Sequence, residues 1–156
     1  LPQFTPQSWE EIGHNILKNS GFENSESRKN AIKTSIKILT DDNLKFIFNS
    51  NSVAEVPFQI AIPEVSNTVF SGVIDRIINY EESVLAIDFK SNFLVPKLVS
   101  EVPDGILQQM AVYFRSLEIL YPKKKVDIAI LWTETSNLMF LDNATLRNSL
   151  QSVLNT

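Results

Sequence analysis

The run SGVIDRIINYEESVLAIDFK, residues 71–90, constrains the fold more than any other stretch. It contains the end of one β-rich segment, read as Thr68–Tyr80, and the whole of another, Ser83–Lys90. The turn at Tyr80-Glu81-Glu82 is short enough to make them an antiparallel hairpin. Val53–Ile62 alternates apolar and polar residues and precedes them as a first strand. After an irregular loop over Asn92–Pro103 comes the clearest helix, Asp104–Tyr121, ended by Pro122. Its apolar stripe is Ile106, Met110, Tyr113, Leu117 and Leu120. The fourth strand lies in KKKVDIAILWT. A helix between the third and fourth strands permits a parallel crossover. Leu138–Leu141 is read as a fifth strand and Asn143–Leu154 as a C-terminal helix. The predicted class is therefore α/β, a mixed sheet with helices on its faces.

The first fifty residues read as helical. Ser8 is a candidate N-cap for a helix carrying Ile12, Ile16 and Leu17, and Gly21 breaks it. Ser25 is the candidate cap of a second helix running to Thr40, with Ile32, Ile36 and Leu39 on one face. Asp41–Phe48 reads as a short turn packed by Leu44, Phe46 and Phe48. A chain of 156 residues is large enough for one self-sufficient core. We expect one domain: a helical segment over 1–50, an α/β core over 51–142 and a C-terminal helix over 143–156.

Composition excludes several classes. There is no Cys, so neither a disulfide framework nor a thiolate metal site is possible. That fits a reducing compartment, and a cytoplasmic location is expected. No apolar run approaches the ~20 residues that span a bilayer, and LPQFTPQSWEE is not a signal peptide. No membrane partner is expected. The chain has no initiating Met and is expected to be a fragment of something longer. Its formal net charge is −4. A module gripping nucleic acid mainly by its own basic surface should be positive. Either this one does not touch nucleic acid, or a metal and other protein parts supply the attraction.

Strand periodicity points Asp88 and Lys90 the same way, with Ile87 and Phe89 on the opposite face. Antiparallel pairing brings Asp75 of the preceding strand within reach of Asp88. Burying two carboxylates beside a lysine is costly, and such charges raise each other's pKa unless a cation sits between them. A hard divalent cation such as Mg²⁺, which takes oxygen ligands, resolves the conflict. Spacing alone leaves another reading open. Asp88 and Lys90 also fit an exposed ion pair at a sheet edge, worth under ~1 kcal/mol, with Asp75 paired to Arg76 or Arg115. Gln109 and Tyr113, four apart on the long helix, share a face. They read either as the polar edge of a core stripe or as a pair suited to a phosphate backbone.

Taken in order, AEVPF, SGVIDRI, LAIDFKSN, QQMAVY, ILYP and LWT resemble the RecB-type nuclease domain of the PD-(D/E)xK superfamily. The likeness covers about Ser25 to Asp142. Within the family it is greatest to the C-terminal nuclease domain of AddA-type helicase–nucleases, alphaproteobacterial ones in particular. Each motif is weak alone, and their order and spacing together are specific. The resemblance implies a restriction-endonuclease-like fold and Mg²⁺-dependent cleavage of DNA, with Mn²⁺ as a substitute. It implies an exonuclease domain within a repair enzyme whose other parts use ATP. It makes Asp75 and Asp88 metal ligands, Lys90 the lysine of D-x-K, and Gln109 and Tyr113 the Q-x-x-x-Y pair. It adds the Phe89 carbonyl and Glu55 as further metal ligands. The implied partners are DNA, helicase domains of the same parent chain and an AddB-like second subunit. The family also has a His on an early helix. His14, directly after Gly13, is out of register for it, so we expect that helix upstream of Leu1 and His14 at the surface.

Residues 123–125, three lysines, read as a solvated turn or a phosphate contact. Trp132 and the ten Phe residues are expected in the core. No GxxxxGK[ST] phosphate loop occurs. The rival to an active nuclease is a degenerate nuclease fold kept as a structural or DNA-guiding module. A further reading is a free-standing RecB-like exonuclease.

Overall fold

A computed structural model describes residues 5–21, 24–63 and 69–154. The chain divides into two compact units, Leu1–Asn49 and Ser50–Thr156.

The first unit holds helices α1 (Trp9–Asn19) and α2 (Ser25–Thr40). They approach closely at Gly13, where an added Cβ would lie 3.0 Å from Ile32 Cγ1. Gly there lets the isoleucine pack against bare backbone. The cap of α2 is Asn24, not Ser25: its side chain accepts the Ser27 N–H at 2.9 Å. Asn is among the strongest N-cap residues, so the helix starts one residue behind it. Ser8 precedes α1 but caps nothing, because its hydroxyl donates back to the Thr5 carbonyl. In the 3₁₀ turn at Lys45–Phe48 the buried residues are Leu44 and Ile47, while Phe46 and Phe48 are only half-buried. Three-residue periodicity sets that choice, in place of the Leu44, Phe46 and Phe48 packing expected from the sequence.

The second unit is a five-stranded sheet of order β1-β2-β3-β4-β5. The strands are β1 (Ser52–Ala61), β2 (Val69–Asn79), β3 (Ser83–Lys90), β4 (Lys125–Trp132) and β5 (Asn137–Leu141). The expected start of β2 at Thr68 lies outside the described residues. β1, β2 and β3 form the antiparallel meander, closed between β2 and β3 by a Tyr80 N–H to Ser83 carbonyl bond of 2.9 Å. β4 runs parallel to β3, with α3 (Asp104–Leu120) as the crossover. β5 returns antiparallel to β4, and α4 (Asn143–Leu154) follows. The expected mixed α/β sheet is what the chain forms.

Val84 and Ala86 of β3 and Val126, Ile128, Ile130 and Trp132 of β4 share one face. They join Met110, Phe114 and Leu117 of α3 and Leu146 of α4 in one apolar core. Leu85, Ile87, Ala129 and Leu131 on the other face are buried too. β3 and β4 thus read as the near-continuous apolar runs of strands covered on both sides. The stripe of α3 stops at Leu117. Leu120, expected to extend it, lies on the last turn and is exposed.

Candidate active site

Two carboxylates meet where the hairpin ladder ends. Backbone pairs between β2 and β3 run from Asn79↔Val84 to Arg76↔Ile87. The next opposed positions in that register are Asp75 and Asp88. There the ladder stops, and Asp75 Oδ2 accepts the Phe89 N–H at 2.7 Å instead. A side chain takes the place of the missing backbone acceptor, so the strands part without orphaning that donor.

Asp88 is 3% exposed, the one buried carboxylate among the described residues. Its Oδ2 lies 2.7 Å from Lys90 Nζ, forming an ion pair. Burial pushes the Asp88 carboxyl above its ordinary pKa; Lys90 opposes this and the Asp75 charge adds to it.

Lys90 is also held from the other side. Its ammonium donates to Gln109 Oε1 at 2.9 Å. Gln109 Nε2 donates to the Tyr113 hydroxyl at 3.0 Å, and that hydroxyl donates to the Val73 carbonyl at 3.0 Å. The sequence of donors is self-consistent. A lysine can only donate, so the amide oxygen faces it and the amide nitrogen faces the tyrosine. The i, i+4 spacing on α3 stacks Gln109 and Tyr113 to make the relay possible. The Tyr113 ring packs edge-on against Phe58 of β1, centroids 5.5 Å apart. Burial, then the Asp88 charge, push the Tyr113 pKa up to about 12.

The structure thus gathers Asp75, Asp88, Phe89, Lys90, Gln109 and Tyr113. Glu55 does not make a three-carboxylate group with Asp75 and Asp88. Glu55 sits opposite Asp75 in the β1–β2 register, but it is exposed and its φ is +51°. That left-handed backbone, unusual for a non-glycine residue, takes it out of the strand's alternation. Its charge, like that of Asp75, favours the charged form of Arg76, whose pKa burial lowers. Among the described residues no three His, Cys, Asp or Glu side chains gather as a metal-holding group. Arg115 is not with Asp75 either; it lies 3.4 Å from Glu118, which also pairs with Arg147.

The donor set still suits a hard cation. Oδ2 of each aspartate is engaged, by Phe89 N–H or Lys90, while Oδ1 of each accepts no hydrogen bond among the described residues. Two such oxygens on adjacent strands beside one ammonium fit Mg²⁺ or Mn²⁺.

His14 is half-buried, on α1 of the first unit, beside Glu10, Lys29 and Lys33. Of the three lysines, Lys124 binds Asn79 Oδ1 at 2.7 Å and the Tyr80 carbonyl at 2.6 Å, and Lys125 pairs with Asp127 at 2.9 Å. They fasten the sheet's end more than they form a free basic turn. Trp132 is fully buried, as expected. Of the Phe residues expected in the core, Phe114 is buried, Phe93 and Phe140 are 92% and 54% exposed, and the other described ones are half-buried. Phe4 and Phe22 lie outside the described residues. Sequence reasoning missed the Val73 carbonyl, a backbone atom with no signature, and Phe58, which the VPF run of β1 carries without marking it.

No family model matches the chain, and no curated protein matches it. Among solved structures it is similar to a Eubacterium rectale protein named provisionally as an exonuclease. The two share 15% identity with a TM-score of 0.63, over 96% of this chain and 60% of that one. This chain therefore spans about 60% of that protein's length. At this identity the likeness shows a shared fold: a five-stranded mixed sheet with helices. The structure of SSO0001, 19% identical over 99% of this chain and 70% of that one, has a TM-score of 0.41 and carries no argument. No helix among the described residues is long and apolar enough to cross a membrane.

Proposed function

We propose that this chain is a metal-dependent deoxyribonuclease domain that hydrolyses DNA phosphodiester bonds. We place it as the exonuclease part of an AddAB/RecBCD-like ATP-dependent helicase–nuclease in recombinational double-strand-break repair. The observation that carries the reading is the Asp88–Lys90–Gln109–Tyr113 relay, with Asp75 at its mouth. A retired site has no evident reason to keep a buried carboxylate, a second one opposite it and a lysine held from two sides.

Asp75 and Asp88 would hold Mg²⁺. Bound there, the metal supplies a polarised scissile phosphate and a water of lowered pKa. Lys90 holds its ammonium where charge develops on the phosphate oxygens and stabilises it. Gln109 and Tyr113 fix the lysine's rotamer, so its alignment is set before substrate arrives. Asp75, through the Phe89 N–H, ties the two strands together where their backbone ladder ends. With a net charge of −4, this domain does not draw DNA by its own field. Helicase domains of a parent chain, using ATP, and an AddB-like second subunit would deliver the strand.

The reading is tested by incubating the chain with end-labelled linear single-stranded DNA in Mg²⁺, in Mn²⁺ and in EDTA. Cleavage with either metal and none in EDTA is expected. Cleavage that survives EDTA, or no cleavage with any metal, contradicts it.

A further inference from the structure

Phe93 and Leu94 are 92% and 84% exposed, more than any other large apolar side chain among the described residues. Single exposed apolar residues need no explanation. Two in succession at the exit of the strand that carries Asp88 and Lys90 do. The loop is fixed rather than loose. Val95 and Val99 pack against the core. Glu101 Oε2 accepts the N–H groups of Lys97 at 2.8 Å and Leu98 at 3.3 Å. The chain is thus anchored just after the tip, and Lys90 anchors it just before. Three residues span at most ~11 Å, so the Phe93 backbone stays within that distance of the Lys90 backbone. That is the range of the nucleotides flanking a phosphate held at Lys90. The apolar tip is one phenyl ring and one leucine, flanked in sequence by exposed Ser91, Asn92, Lys97 and Leu98. A protein interface needs far more surface. A nucleobase does not, and Lys97 offers a charge to its neighbouring phosphate.

We infer that Phe93 is a stacking platform for a nucleobase next to the scissile phosphate, supported by Leu94, so that the site takes unpaired strands without regard to sequence. This rests on the nuclease reading above. Every base has a π-face, so an aromatic platform binds all four. A duplex hides those faces, and a single strand presents them.

The test compares the wild-type chain, Phe93→Ala and Phe140→Ala on two strands of equal length, one normal and one built of abasic units. Phe140 is an exposed aromatic on β5 outside the site and serves as the control. Wild type and Phe140→Ala should show a KM about tenfold lower for the normal strand, the effect of one stacked base. In Phe93→Ala that preference should collapse. An unchanged preference in Phe93→Ala, as a protein-binding role for the tip would give, overturns the inference. Binding is read separately through Phe93→Trp, whose added emission should be quenched by the normal strand and not by the abasic one. Quenching without cleavage by wild type would support the platform while the nuclease reading fails. Cleavage without quenching would do the reverse.

Discussion

Lys90 Nζ donates to Gln109 Oε1 at 2.9 Å, tying the end of β3 to the second turn of α3. Strand and helix are far apart in sequence, and the crossover brings them together. Gln109→Leu keeps the shape of the side chain but removes the acceptor. Lys90 would then be held only by Asp88. We expect DNA cleavage to fall about 100-fold through kcat, the scale of a small misalignment. Circular dichroism should be unchanged. Wild-type kcat in Gln109→Leu would show that the relay does not position the lysine.

Tyr113→Phe removes a buried hydroxyl that accepts from Gln109 and donates to Val73. The Val73 carbonyl and the Gln109 amide each lose a partner, at a cost of about 1–2 kcal/mol. Urea midpoints measure it. The same residue sets a pH dependence. Its folded pKa, about 12, lies above the ordinary value of 10.0. The unfolded chain therefore releases this proton first as pH rises. The contribution is full below pH 10.0 and is lost as pH climbs towards about 12. Wild type should lose stability across that window more steeply than Tyr113→Phe.

Asp142 caps α4. Its carboxylate accepts the Thr145 N–H at 2.8 Å and the Thr145 hydroxyl at 2.7 Å. Asp142→Ala should cost about 1 kcal/mol of stability and leave cleavage untouched. The Thr145 backbone bond, then its hydroxyl, hold the carboxyl below its ordinary pKa. Its contribution is present above the unfolded carboxylate pKa and is lost as pH falls through the folded one. The gap between wild type and Asp142→Ala should therefore close in acid.

The hairpin, the crossover helix and the parallel fourth strand were readable because each rests on a period or a turn. β3 could be bounded to the residue by its turn and by the loop that follows. The shared face of Asp88 and Lys90 follows from period two, and that of Gln109 and Tyr113 from period 3.6. What could not be read lies in atoms without side-chain identity. The Val73 carbonyl ends the relay, and the left-handed backbone at Glu55 interrupts the alternation of β1. Phe93 was expected inside because Phe usually is. Its exposure comes from the anchoring of Val95, Val99 and Glu101 around it, which no local pattern shows.

The most direct test compares the wild-type chain with Asp88→Asn on end-labelled single-stranded DNA in Mg²⁺, with urea unfolding of both in EDTA. Asn keeps the shape and removes a charge whose burial is unfavourable, so the variant should be no less stable than wild type. The account predicts that it folds and does not cleave. A folded Asp88→Asn that cleaves at the wild-type rate would contradict it.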